Sequence, residues 1–262
     1  MELLADPYDA FLFDLDGVLY RDTEPVPFAS EAVARLRAMT KRVAFVTNNS
    51  GRTPEAVVAR LANVGISANV GEVETSALST AELLAARGVV EAFVIGEEGI
   101  VQALRAKGIT VVDGDAKDVG VVVVGWDRHA DYAKLRTASL FVERGASLVA
   151  TNDDASFPAP DGNWPGAGAL LAAIETTTGV RAEVVGKPHP PVLRAALERA
   201  GGGRPLVVGD RLDTDIAGAE GLGWDSLLVL TGISSREDIA ASSITPTFVA
   251  EDLWALFAPP SH

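Results

Sequence analysis

The sequence predicts an α/β fold built on a mostly parallel sheet, and three observations predict it. Short apolar runs alternate with amphipathic helical patterns along the chain. Several runs, 119–124 most clearly, are near-continuous Val and Leu rather than alternating, as strands buried on both faces require. Four strand ends carry clustered polar residues, and in a doubly wound sheet ligands bind beyond the carboxyl ends of the strands. Taken in order, residues 10–13 form a short apolar strand that runs into acidic residues. Residues 29–39 read as an amphipathic helix, with Ala32, Val33, Leu36 and Met39 at helical spacing. Residues 42–46 are a second strand, after which Thr53 and Pro54 open a helix as cap and first-turn residue. Further strands are expected at 92–95, 119–124, 147–150, 183–185, 205–208 and 226–230, with helical patterns between most of them. There is no fixed-period repeat and no low-complexity tract. Residues 157–168, rich in Pro and Gly, read as one long irregular segment, a feature that is usually functional in a compact protein.

Composition narrows the function. With 262 residues, 48% of them hydrophobic, the chain has material for one large domain or two modest ones. The absence of cysteine excludes a disulfide framework, a thiolate zinc site and a cysteine nucleophile. A net charge of −14 argues against nucleic acid or an anionic membrane as a partner, because phosphate backbones and headgroups need clustered Lys and Arg. The first ten residues are acidic and lack the basic and apolar regions of a targeting signal. No apolar run approaches the ~20 residues that span a bilayer. A soluble, cytoplasmic protein is expected. If its substrate is an anion, something local must overcome the repulsion.

Four strand ends carry the candidate chemistry. In the first, Asp14-Leu15-Asp16-Gly17, two carboxylates two residues apart follow a buried strand and share a side if the strand stays extended. A hard divalent cation such as Mg²⁺ would resolve their repulsion, and a solvated turn is the alternative. In the second, Thr47-Asn48-Asn49-Ser50 supplies uncharged donors suited to phosphate oxygens, or else a helix-capping turn. The third places Lys187 between Gly186 and Pro188, as a fixed cation at a strand end or as a solvated lysine. The fourth, Gly209-Asp210-Arg211-Leu212-Asp213-Thr214-Asp215, runs an apolar strand into a second acidic cluster of the kind that holds a metal.

In this order the four segments resemble the signature motifs of the haloacid dehalogenase-like (HAD) superfamily. TNNSGRTPE, VVGKPHP and GDRLDTDI are further similar to its class IIA phosphatases, over nearly the whole chain from residue 10 to 232. The resemblance implies a HAD-like Rossmannoid core. It implies Asp14 as a nucleophile that forms an aspartyl-phosphate, and Asp16 as the acid for the leaving alcohol and the base for water. Mg²⁺ would be held by Asp14, the backbone carbonyl of Asp16 and Asp210, with Asp215 as an outer partner. Thr47, Asn48, Asn49 and Lys187 would hold the phosphoryl group. Such roles are chemically coherent, because a carboxylate nucleophile splits one displacement into two and phosphoryl transfer needs mainly positioning and charge neutralisation. An Asp at position 16 also favours phosphate-ester hydrolysis over dehalogenation.

About 140 residues separate Thr47 from Lys187, so after one or two core βα units roughly 100 remain for an inserted domain. Its pattern is α/β and matches the C2-type cap of the resembled class. The expected division is core 1–86, cap 87–181 and core 182–262. The resemblance assigns substrate specificity to the segment 150–158, with Asn152, Asp153 and Phe157, and Trp164 nearby. Phe157 and Trp164 could each contact substrate or simply anchor the loop. By the same resemblance, an apolar residue at 157 favours phosphoglycolate or glycerol phosphate over pyridoxal phosphate, with nucleotide or sugar phosphates as alternatives. A phosphotransferase on the same core, or a non-catalytic module that binds phosphometabolites, are the competing functions. Class members often dimerise through the cap, so the resemblance leaves a homodimer open.

Overall fold

The computed structural model describes residues 2–159 and 161–260, and strand and helix alternate along them as expected. The chain divides into two compact units. One holds the residues up to Thr47, Glu55–Glu74 and those from Lys187 onward; the other holds Asn48–Pro54 and Thr75–Gly186.

The first unit is built on a six-stranded sheet in the order Phe248–Ala250, Asp225–Val229, Pro205–Gly209, Ala10–Phe13, Arg42–Thr47 and Val73–Thr75. The pairings from the first of these through Arg42–Thr47 are all parallel. The run Ala10–Phe13 is apolar throughout because it is central. Phe11 and Phe13 pack on one face with Phe45, Val208 and Leu36 of the helix Ala29–Ala38. Ala10 and Leu12 pack on the other with Val46, Val207, and Leu193 and Ala196 of the helix Pro190–Arg199. Phe13 lies opposite both Phe45 and Val208, so the three strands end together at one edge. That alignment brings Asp14, which follows its strand, Thr47, which ends its strand, and Asp210, which follows its strand, to the same edge of the sheet.

The second unit repeats the principle with a five-stranded parallel sheet. Its order is Glu183–Val184, Ser147–Ala150, Val121–Val124, Glu91–Ile95 and Thr110–Val112. Val121 and Val123 meet the helices Ser76–Ala86 and Glu98–Ala106 on one face. Val122 and Val124 meet the helices Tyr132–Glu143 and Ala167–Thr178 on the other. The unit begins earlier in the chain than residue 87 and ends later than residue 181. Ala77, Ala81 and Leu84 of the first of these helices, and Val185, are buried in the same cluster as Val94 and Val149.

Two local differences from the sequence reading stand out. Residues 157–168 are not irregular: Ser156–Ala159 and Gly162–Pro165 form an antiparallel hairpin with Phe157 opposite Trp164. The aromatic cross-strand pair favours the ribbon, and in a two-stranded ribbon every strand is an edge, so Pro165 removes no obligatory ladder bond. The three-residue edge strands Val73–Thr75, Thr110–Val112 and Phe248–Ala250 were also not expected, because three residues carry no readable period. Among the described residues no helix is long and apolar enough to cross a membrane.

Candidate active site

Asp14 follows Phe13, and its N–H donates to the Val208 carbonyl at 2.8 Å, continuing the ladder by one bond. The chain then leaves the extended path. The Leu15 carbonyl accepts from the N–H groups of Val18, Leu19 and Tyr20 at 3.3, 2.9 and 3.3 Å, and Gly17 turns at φ +83°. The condition under which Asp14 and Asp16 would share a side therefore fails. Asp14 is largely buried, whereas Asp16 is exposed and its carboxylate stands outside the acidic cluster described next.

That cluster is Asp14, Asp210 and Asp215, each offering one carboxylate oxygen within 4.8 Å of the others. Asp210 follows the strand Pro205–Gly209, and its Oδ2 accepts from the Ile233 N–H at 2.8 Å. Asp215 arrives through a π-helical turn, Leu212–Ile216, in which the Arg211 carbonyl accepts from both Asp215 and Ile216 N–H at 3.2 Å. Such wide turns are frequent at functional sites. Lys187 reaches the cluster from the start of the segment that leads into the helix Pro190–Arg199. It is only 3% exposed, and its Nζ donates to Asp14 Oδ1 and, at 2.7 Å, to Asp215 Oδ1. Asp215 Oδ2 accepts from the Arg211 N–H at 3.2 Å, so both oxygens of Asp215 are engaged within the protein. Asp213 instead pairs with Arg211 at the surface.

The electrostatics of the cluster ask for a cation. Burial pushes the Asp14 carboxyl well above its ordinary range, against the pull of Lys187. Burial, reinforced by Asp215, pushes Asp210 up to about 7. Burial alone would discharge Lys187, but Asp14 and Asp215 outweigh it and hold the ammonium above its ordinary range. When all three carboxylates are ionised, the one ammonium leaves two negative charges to balance, the charge of a single divalent cation. Asp210 Oδ1 is moreover buried with no hydrogen-bond partner, a costly condition for a carboxylate oxygen. An all-oxygen donor set with one orphaned oxygen fits a hard divalent ion such as Mg²⁺.

Three glycines shape this cluster by the room they leave, which their place in the sequence does not reveal. A Cβ on Gly17 or Gly232 would run into the Asp210 carboxylate, and one on Gly209 would run into Asp215. The signal that could have revealed Gly232 is weak, since it sits on a different strand end from the residue it accommodates. Gly232→Ala should displace Asp210 and cost about 1–3 kcal/mol of stability, as overpacking typically does. Thermal melts with and without Mg²⁺ should then show the parent's metal-induced rise in Tm lost in the variant.

The other expected residues lie in different settings. Thr47 is buried at the end of its strand in the first unit. Asn48, Asn49, Asn152, Asp153, Phe157 and Trp164 belong to the second unit. There Asn48 Nδ2 donates to Asp154 Oδ2 at 3.1 Å, and Asn49 Oδ1 accepts from the Gly51 N–H at 3.0 Å. Asn152 is buried, with its Nδ2 donating to the Asn48 carbonyl at 2.7 Å, while Asp153 is exposed. Phe157 stacks on Trp126, with ring centroids 4.6 Å apart, and the exposed Trp164 donates its Nε1–H to Asp161 at 2.8 Å.

Comparison with known proteins bears on all of this. A family model described as haloacid dehalogenase-like hydrolase matches residues 11–110, and one described as HAD-hydrolase-like matches residues 184–256. An acid sugar phosphatase of Staphylococcus saprophyticus is 38% identical over 249 residues, which are 94% of this chain and 95% of that protein. A glycerol phosphate phosphatase of Mycobacterium tuberculosis, solved in complex with magnesium, superposes with a TM-score of 0.93 at 36% identity, covering 98% of this chain and 79% of that one. A 4-nitrophenylphosphatase of Thermotoga maritima superposes with a TM-score of 0.91 at 33% identity, covering 97% and 98%.

Proposed function

The chain belongs to the haloacid dehalogenase-like phosphatases of class IIA, and on that premise we propose that it hydrolyses phosphate monoesters of small polyols or sugars through an aspartyl-phosphate, with Mg²⁺ bound. The observation that carries this reading is the buried chain Asp14–Lys187–Asp215 beside the unpartnered oxygen of Asp210. The names of the relatives (sugar phosphate, glycerol phosphate and 4-nitrophenyl phosphate phosphatases) support a small monoester as substrate. Glycerol phosphate is the expected substrate that one of them shares.

In this mechanism an Asp14 oxygen attacks phosphorus as the bond to the ester oxygen breaks, and Asp16 gives its proton to the leaving alkoxide. The carboxylate this leaves on Asp16 is the base that the second half-reaction needs. Water then attacks the phosphorus of the aspartyl-phosphate, losing its proton to Asp16, and Asp14 departs as a carboxylate with release of inorganic phosphate. Lys187, held by Asp215, offers a fixed positive charge to the phosphoryl oxygens, while Thr47, Asn48 and Asn49 offer uncharged donors. Asp14, Asp210 and the Asp16 carbonyl are the groups that would hold Mg²⁺, with Asp215 behind them fixing Lys187. The ion, when bound, neutralises both the carboxylates and the charge on the phosphoryl group. The unit built around Thr75–Gly186 is, on this reading, the inserted cap that reads the leaving group.

A panel of phosphorylated metabolites with 4-nitrophenyl phosphate as the reference tests the proposal by release of inorganic phosphate. Release in Mg²⁺, lost on chelation and restored by added Mg²⁺, is the expected result. No release from any ester, or transfer of the phosphoryl group to an added alcohol in place of water, overturns it.

A further inference from the structure

We propose that Asn152 and Asp154 are positioning residues for the phosphoryl-binding turn at Asn48, acting through a closed ring of hydrogen bonds. The inference rests on the phosphatase reading above and adds residues to the machinery. The ring has three members. The Asn48 carbonyl accepts from Asn152 Nδ2 at 2.7 Å, Asn152 Oδ1 accepts from the Asp154 N–H at 3.2 Å, and Asp154 Oδ2 accepts from Asn48 Nδ2 at 3.1 Å. It closes on the residue where it began and takes up both the backbone and the side chain of Asn48. Ser76 Oγ gives the same carbonyl a second donor at 2.6 Å.

What this holds is a peptide plane. The Asn48 carbonyl and the Asn49 N–H belong to one rigid trans peptide and point in opposite directions. Two donors on the carbonyl therefore fix where the N–H is aimed, and Asp154 fixes the Asn48 side chain that projects from the same turn.

The ring is itself braced. A Cβ on Gly186 would run into the Thr151 carbonyl and come within 2.6 Å of Asn48 Oδ1, so the residue before Lys187 must approach the ring closely. Gly186 N–H donates to that Thr151 carbonyl at 2.8 Å. On the far side, Gly168 N–H donates to the Asp154 carbonyl at 2.9 Å, and a Cβ on Gly166 or Gly168 would collide with the backbone of Asp154 or Asp153. The start of the helix Ala167–Thr178 thus seats the 152–154 segment. Asn48 and Gly186 are both bound to the segment 151–154. Asn152, expected as a substrate contact, has its amide committed to this frame.

Calorimetric titration with inorganic phosphate in Mg²⁺, with steady-state kinetics alongside, tests the ring. Asn152→Ala and Asp154→Ala should each weaken phosphate binding about tenfold, the worth of one buried hydrogen bond, and raise KM in proportion. The double variant should be no weaker than about twofold beyond either single one, because the first break already opens the ring. Asp154→Asn, which keeps an acceptor at Oδ1, should retain affinity within about threefold of the parent. A purely structural role would lower Tm while leaving phosphate affinity and KM at 25 °C unmoved, and that result overturns the proposal. Fully additive losses overturn the closed ring. A parent that binds phosphate but hydrolyses no ester overturns the phosphatase reading, yet leaves the ring readable by binding. A parent that hydrolyses esters while both alanine variants bind phosphate normally overturns the ring alone. A parent that does not bind phosphate overturns both.

Discussion

Asp14→Asn is expected to abolish ester hydrolysis, by about 10⁴-fold or more in kcat, as removal of a covalent nucleophile does. The substitution keeps the shape of the side chain and leaves Lys187 its second partner, Asp215. It should therefore not unfold the protein. The sign of the stability change follows from the raised carboxyl of Asp14. A folded-state pKa above the unfolded value means that folding favours the protonated acid. Whatever stability this contributes is present at low pH and lost as pH rises through the folded pKa. Above that pKa an ionised Asp14 is a burden in the metal-free protein, and a neutral Asn relieves it. Urea titration in chelator should find the variant at least as stable as the parent, while phosphate release is gone. Turnover near the parent level would remove Asp14 from the nucleophile's role, and a large loss of stability would mean that Lys187 depends on it.

Lys187→Met should give the largest loss of stability. The ammonium is buried between Asp14 and Asp215, and removing one partner of a buried ion pair strands the others. A cost of about 3–5 kcal/mol is expected in metal-free buffer, with activity reduced by orders of magnitude because the fixed cation is lost. Mg²⁺ should narrow the stability gap, since a ligand that binds only the folded state stabilises it and here also supplies missing positive charge. Chemical denaturation with and without Mg²⁺ measures both effects. A metal-free variant within about 1 kcal/mol of the parent would show the carboxylates coping by protonation alone. Lys187 would then serve the substrate rather than the fold.

The contrast between these two substitutions reflects how unevenly the site is written into the sequence. Asp14, Thr47, Lys187 and Asp210 could each be found locally, as a polar residue at the end of an apolar run. The register that puts Phe13 opposite both Phe45 and Val208 turns that local pattern into a common edge. Other features depend on residues far apart in the chain. The Lys187–Asp215 bond, the accommodation of Asp210 by Gly17 and Gly232, and the orphaned Asp210 Oδ1 are of this kind. So is the ring joining Asn48 to Asn152 and Asp154. No spacing along the chain encodes which carboxylate oxygen lies free.

By itself, then, the sequence determined the alternation of elements, the parallel sheets and the residue types at each strand end, because burial on two faces demands continuous apolar runs and acidic residues cannot continue them. The tertiary structure alone decided that Asp16 leaves the acidic cluster, that 156–165 is a hairpin with Phe157 packed on Trp126, and that Asn152 braces a peptide. The physical reason is common to all three. A strand's period is set by neighbours two residues away, whereas hydrogen bonds, ring stacking and charge compensation are settled between side chains that only folding brings within a few ångströms.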